Sequence, residues 1–194
     1  MEHWQYYIRG RVLEAFGRAQ ESISAYLAAL RLKPDFHRCS SRIGYILAGL
    51  ERYAEAEPYF RAALGADPGN ASAHFNLGYT YDKRGQFANA AESFREATRL
   101  NPKLDRAWYG LGLAHAALGQ HEEAAKALHE AATLQPMNPH AWYQLGMAYH
   151  TLHNPEKMDA VVMHLLRFDP KMTRRLILDA QRSDLAYLVK DLAV

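Results

Sequence analysis

The strongest constraint on this chain is that it repeats itself every 34 residues. Shifted against itself by that interval, the sequence falls into five registers beginning at His3, His37, Ala71, Asp105 and Pro139, which tile residues 3–172 without a gap. Places are counted here from the first residue of each register. Place 8 is glycine every time (Gly10, Gly44, Gly78, Gly112, Gly146) and place 32 is proline every time (Pro34, Pro68, Pro102, Pro136, Pro170). In a chain with only 12 glycines and 8 prolines, five coincidences at each of two places fix the register. A period of this length marks an array of stacked supersecondary units, none of which can bury its apolar face alone.

Each unit carries two successive stripes with the three-to-four spacing of an amphipathic helix. Trp108, Leu111, Gly112 and His115 form the first stripe of the fourth unit, and His74, Leu77, Gly78 and Tyr81 hold the same places in the third. The second stripe is Phe87, Ala90, Phe94 and Ala97 in the third unit and Tyr53, Ala56, Phe60 and Ala63 in the second. Gly85 and Gly119 separate the stripes and predict a turn, and the proline ends the pair by removing a backbone donor. Pro58 falls about one turn into its helix, where proline is tolerated. The place-8 glycine costs a helix interior about 0.5–1 kcal/mol relative to alanine. It is therefore expected where the first helix crosses the second closely, against the small residues Ala56, Ala90 and Ala124.

The succession Trp, Leu-Gly, Tyr, Gly, Ala, Phe, Ala, Pro over 34 residues resembles the tetratricopeptide repeat family, and it does so across residues 3–172. That resemblance implies an all-α fold, a right-handed superhelical solenoid of helix hairpins. Five repeats (3–36, 37–70, 71–104, 105–138, 139–172) would make an array over residues 1–172, with 173–194 as a helical C-terminal cap. Departures from the pattern sit at the ends. The first unit has Arg9 in place of leucine and Ala19 in place of the aromatic, so a solvent-tolerant outer surface is expected. The fifth has Met158 and Leu165 at small-residue places and Pro155 at the aromatic one, so its hairpin should be splayed or packed differently. The amphipathic stretch beyond it should cover the last apolar face with one or two helices.

Composition narrows the function. At 49% hydrophobic and 23% charged residues the chain can bury a core, and a net charge of +2 argues against a general nucleic-acid or membrane-surface binder. Cys39 is the only cysteine, which precludes an intrachain disulfide and suits a reducing compartment. Neither a signal peptide nor a membrane span is visible, so a cytoplasmic location is expected. There is no Gly-x-Ser-x-Gly, phosphate loop or dinucleotide fingerprint. His150 and His153, with His164, have partial metal-site spacing but lack a placed Cys, Asp or Glu to complete it. A non-enzymatic chain without cofactor or metal is the expectation.

In the resembled family the first helices line a concave face, so their places outside the packing stripe carry information. Place 5 holds Tyr7, Ser41, Phe75, Tyr109 and Tyr143; place 9 holds Arg11, Tyr45, Tyr79, Leu113 and Met147; place 2 adds Trp4, Arg38 and Arg106. Aromatics interleaved with arginines fit a peptide groove, since both supply large anchoring contacts; place-5 aromatics also serve packing between neighbouring first helices. Arg11, Arg38, Arg42, Lys83 and Arg106 stand against Glu14 and Asp82 on this face, which favours an acidic or carboxylate-ended ligand. The candidate peptide-binding set is Tyr7, Arg11, Arg38, Arg42, Tyr45, Phe75, Asn76, Tyr79, Arg106, Tyr109, Tyr143 and Met147. A five-residue carboxylate clamp known in one family subgroup would occupy Ser41, Tyr45, Asn76, Arg106 and Gly110, of which Asn76 and Arg106 fit, so only a general anion preference is retained. The expected role is a scaffold holding a partner peptide, with self-assembly through the array ends or the C-terminal segment as the competing reading.

Overall fold

A computed structural model describes residues 1–190; the last four residues of the expected cap, 191–194, lie outside them. Every regular element among these residues is helical. In chain order they are α1 (Glu2–Ala15), α2 (Ala19–Leu32), α3 (His37–Gly49), α4 (Tyr53–Ala66), α5 (Ala71–Lys83) and α6 (Phe87–Leu100). They continue with α7 (Asp105–Ala117), α8 (His121–Leu134), α9 (Pro139–Thr151), α10 (Pro155–Leu166), α11 (Pro170–Asp179) and a 3-10 turn, Ser183–Val189. None is long and apolar enough to cross a membrane. The chain divides into two compact units, the first ending at Asn101 and the second beginning at Pro102. Three hairpins, α1/α2, α3/α4 and α5/α6, make the first; α7/α8, α9/α10, α11 and the 3-10 turn make the second.

Each hairpin folds about places 14–16, and place 15 takes a left-handed backbone. Gly17, Gly85 and Gly119 hold it at φ near +71°, +71° and +72°, whereas Glu51 and His153 hold it at +59° and +51° with a side chain attached. Helix starts are capped where the sequence supplies a short polar residue. Asn70 accepts from the Ala73 amide at 3.0 Å, Asn154 from Lys157 at 3.1 Å and Asp169 from Met172 at 2.8 Å. The prolines act at both boundaries: Pro139, Pro155 and Pro170 open α9, α10 and α11, where a missing amide hydrogen costs nothing. Pro58 sits inside α4, which runs on to Ala66.

The place-8 glycines face large side chains, not the small ones expected from the stripe. A Cβ on Gly10 would lie 2.5 Å from the Tyr26 ring, on Gly44 2.9 Å from Phe60, on Gly78 2.8 Å from Phe94 and on Gly112 2.5 Å from Leu128. All four neighbours are place-24 residues and all are buried. The reason is geometric: an antiparallel hairpin folded about place 16 brings place 8 opposite place 24, while the small residues Ala56, Ala90 and Ala124 of place 20 sit one turn nearer the loop. The glycine is a notch that lets a ring lie against the backbone of the facing helix. In the first unit the notch is tied as well as filled, since Ser22 donates to the Gly10 carbonyl at 2.8 Å.

The fifth hairpin fills its notch from elsewhere. Opposite Gly146, place 24 is Val162, and the atoms nearest a Cβ are Leu176 of α11 at 2.7 Å and Val161 at 3.3 Å. Met158 and Leu165 are buried in the same core as Leu128, Leu145, Leu176 and Ile177. Arg182 straps the cap down, with Asp159 at 2.9 Å and Asp184 at 2.6 Å. A second recurring device closes the turns between hairpins. Trp108 donates from Nε1 to the Pro102 carbonyl at 2.9 Å, Trp142 to that of Pro136 at 2.9 Å, and His74 Nε2 meets that of Pro68 at 3.0 Å. A carbonyl only accepts, so His74 holds its proton on Nε2.

The outer face of α1 is not the solvent-tolerant surface expected from Arg9 and Ala19. Arg9 is exposed, but so are Ile8, Val12 and Phe16. The polar replacement lies at place 7, whereas places 6, 10 and 14 beside it stay apolar.

Two stability outcomes are expected. Gly112→Leu lowers the melting temperature although leucine is the better helix former: propensity offers up to about 1 kcal/mol, and overpacking against Leu128 costs about 1–3 kcal/mol. Glu51→Gly raises it, because a side chain in the left-handed region costs about 1–2 kcal/mol and the glycine's added entropy loss, about 0.5–1 kcal/mol, offsets only part of that. Thermal and urea melts followed by circular dichroism read both.

Candidate functional site

The first helices position the candidate residues, and each compact unit presents its own set. In the first unit the side chains of α1 and α3 form an interlocked aromatic and ionic cluster. Tyr7 is half-buried, its ring 5.5 Å from Trp4, 5.4 Å from Phe36 and 5.8 Å from Tyr26. It therefore works mainly in packing. Arg42 donates from Nε to Glu14 at 3.0 Å, pairs with it ionically and lies 5.0 Å over the Tyr45 ring. Glu14 also accepts from the Tyr26 hydroxyl at 2.8 Å, and burial pushes that phenol up to about 12, keeping it a donor. Burial, then neighbouring Arg11, lowers the Arg42 guanidinium's own affinity for its proton. Arg42 is thus committed to an internal partner, which removes one cation from the charge available to a ligand.

Arg11 and Arg38 are exposed. Arg38 lies 5.4 Å over the Trp4 ring, and Arg11 reaches the Tyr7 hydroxyl at 3.5 Å. Tyr45 and Tyr79 present large open ring surfaces, and Lys83 sits 5.3 Å over Tyr79. Phe75 is half-buried with its ring 5.8 Å from Phe94, the residue in the Gly78 notch, and Asn76 is half-buried beside it. The exposed remainder of the set in this unit is two arginines and two tyrosines, supported by Trp4, which the place-2 pattern already marked.

In the second unit Arg106 is exposed at the start of α7, while Tyr109, Tyr143 and Met147 are half-buried against the core. Burial raises the Tyr109 hydroxyl's pKa. Tyr143 donates to Asp179 at 2.6 Å and lies under Arg175, 5.2 Å from its ring. Its hydroxyl is engaged by α11, an element outside the repeat, so the periodicity alone gave no signal of this contact. Among the clamp places, Ser41 is half-buried with its hydroxyl oxygen enclosed and without a hydrogen-bond partner.

Two cavities lie along the second helices, outside the candidate peptide-binding set. One of about 870 Å³ in the second unit is bounded by α8, α9 and α10 and lined by Trp142, Tyr149, His164, Lys126, Lys157 and Glu130 among others. One of about 550 Å³ in the first unit has the same construction from α4, α5 and α6, with Arg61, His74, Tyr81 and Glu96. Their charges are mixed in sign, and His164 is stacked on Trp142 at 4.1 Å. Among the described residues no three His, Cys, Asp or Glu side chains are placed to hold a metal, His150, His153 and His164 included. Cys39 is buried and its thiol is pushed up to about 12 by that burial.

Two family models described as tetratricopeptide repeat match the chain, one over residues 41–105, 75–134 and 109–157 and another over residues 6–36. Among solved structures the chain is similar to YrrB, described as "a TPR protein with an unusual peptide-binding site", at 24% identity and a TM-score of 0.81, covering 91% of this chain and 90% of that one. It is similar to MamA from Desulfovibrio magneticus RS-1 at 20% identity and a TM-score of 0.76, over 93% of this chain and 96% of that one. A third likeness is to PilF of Pseudomonas aeruginosa, at 16% identity and 0.73, over 95% and 87%. Likeness at these identities is likeness of fold. No curated protein matches the sequence.

Asp82 yields a pH prediction. It is half-buried on α5, and burial raises its pKa, with Lys83 opposing in part. A carboxyl whose folded pKa exceeds its unfolded one penalises the fold above the folded pKa, and the penalty vanishes below the unfolded value. Asp82→Asn is therefore expected to melt higher than the parent at neutral pH, and the difference is expected to close below about pH 4. Parallel melts at the two pH values measure it.

Proposed function

Because this chain belongs to the tetratricopeptide repeat family, we propose that it is a non-enzymatic scaffold that holds a segment of a partner protein on its first helices and prefers acidic or carboxylate-bearing ligands. The observation that carries this reading is that exposed cations and exposed rings share the first helices of the first unit: Arg11 and Arg38, the latter over Trp4, with Tyr45 under Arg42 and Tyr79 under Lys83; Arg106 is exposed on α7 of the second. Arginine forks bind carboxylates through paired charge-assisted bonds, and open tyrosine rings add contact area at low entropic cost. Tyr7, Arg42, Phe75, Asn76, Tyr109, Tyr143 and Met147 support that surface from half-buried positions. The similarity to YrrB, whose description names a peptide-binding site, adds support at the level of the fold.

The test uses a labelled acidic decapeptide with a free C-terminus against its amidated, Gln/Asn counterpart. Binding is expected for the acidic peptide and should weaken from low to physiological salt. Arg11→Ala with Arg38→Ala, both in the first unit, should reduce it by two orders of magnitude or more, since a hydrogen bond to a charged group is worth about 1.5–3 kcal/mol. The melting temperature should change little, because both side chains are exposed. Equal affinity for both peptides, or an unaffected double variant, contradicts the reading.

One observation also favours self-association as a second reading: the apolar stripe left open on α1.

A further inference from the structure

We infer that the cavity of the second unit binds a small monocarboxylate with an apolar body, whose carboxylate takes the position that the Glu57 side chain fills in the first unit.

The two cavities are built from the same places two periods apart, so one serves as a template for the other. Beside the cavity of the first unit, Tyr81 at place 11 of α5 is closed in by a side-chain network. Its hydroxyl donates to Glu57 at 3.1 Å and accepts from Arg61 at 2.7 Å. Arg61 also donates to Glu57 at 2.9 Å, and Arg84 pairs with the same carboxylate from the end of α5. Tyr81 is thereby buried. Two periods on, the places of Tyr81, Glu57, Arg61 and Arg84 hold Tyr149, Ala125, His129 and Leu152. The tyrosine is kept, and the carboxylate and both guanidinium groups that engage it are gone.

Tyr149 is half-buried, and its hydroxyl has no hydrogen-bond partner among the described residues. Burial raises its pKa, so it holds a proton to donate at neutral pH. The space beside it is the larger of the two cavities, about 870 Å³ against about 550 Å³, within the range of small-molecule sites. Lys157 lies 5.4 Å over the Tyr149 ring. Lys126 adjoins Ala125 on α8, and neither lysine is in an ion pair among the described residues.

The rest of the lining sets what accompanies the carboxylate. Lys126 and Lys157 stand against Glu122 and Glu130, so a bare anion gains little from the field of the cavity. Selection lies in the Tyr149 donor, whose bond to a carboxylate is charge-assisted, and in apolar contact with Leu145, Leu152 and Val161. Leu152 makes apolar the place that Arg84 makes cationic in the first unit. An alkyl chain covers that surface and an inorganic anion does not.

Saturation-transfer NMR titrations of the full chain with octanoate, octanamide and acetate, through the millimolar range, test the site. Octanoate is expected to bind, and octanamide and acetate are not. Tyr149→Phe should weaken octanoate by about tenfold or more. Ala125→Glu with His129→Arg rebuilds the pair of the first unit on Tyr149; this variant should melt no lower than the parent and bind no octanoate. Arg11→Ala with Arg38→Ala, which tests the peptide surface of the first unit, should bind octanoate as the parent does. A parent that ignores octanoate, or takes octanamide equally well, overturns the proposal. So does a Tyr149→Phe protein with parental affinity, or a loss of octanoate in the Arg11/Arg38 variant, since the ligand would then lie elsewhere.

Discussion

The packing of a place-24 side chain into the notch left by a place-8 glycine is the contact on which the hairpins depend. Two antiparallel helices with ordinary side chains pack 8–10 Å apart. Removing one Cβ at the crossing admits a ring close to the facing backbone, as with Tyr26, Phe60 and Phe94. The propensity lost at the glycine is recovered in burial, since a fully buried phenylalanine-sized side chain contributes about 1.5–3 kcal/mol. Four hairpins use the same contact, and the fifth keeps the notch but fills it with Leu176 from α11. The cap is thus fitted to the same geometry as the repeats it ends.

That economy leaves the first helices with one side for packing and another for recognition. Places 7, 8 and 11 are used by the hairpin, and place 5 partly so, since Tyr7 and Phe75 lie against Tyr26 and Phe94; places 2, 6 and 9 lie off that stripe. How far they face outward differs from residue to residue. Arg38 and Tyr45 remain open, Arg42 is held by Glu14, and Tyr143 is held by Asp179. A recognition surface of this kind is therefore sparser than its sequence pattern, and its net charge is set by which arginines have internal partners.

Much of the fold was legible because a repeat writes its contacts several times. The hairpins and the turns at Gly85 and Gly119 follow from places and periods. The partner of the glycines did not follow, because a stripe identifies a buried face but not which residue across the hairpin it meets; folding about place 16 supplies that. The Arg42–Glu14 pair joins place 6 of one unit to place 12 of the unit before it, a relation visible only once the hairpins are stacked. The bond from Tyr143, a named candidate, to Asp179 was not visible because α11 is written once and has no register. The α1 face misled because the polar substitution at Arg9 was read as belonging to the whole face, although the neighbouring stripe of Ile8, Val12 and Phe16 remained apolar.

The notch is tested most directly by a double-mutant cycle at Gly78 and Phe94, read as unfolding free energy in urea. Gly78→Ala should destabilise the parent, because its new methyl would meet the Phe94 ring at 2.8 Å. In a Phe94→Ala background the same change should stabilise, since the ring is gone and alanine is favoured over glycine in a helix by about 1 kcal/mol. A change of sign between the two backgrounds is the predicted result. The same effect of Gly78→Ala in both backgrounds would contradict the account, since the glycine would then not be answering to the ring.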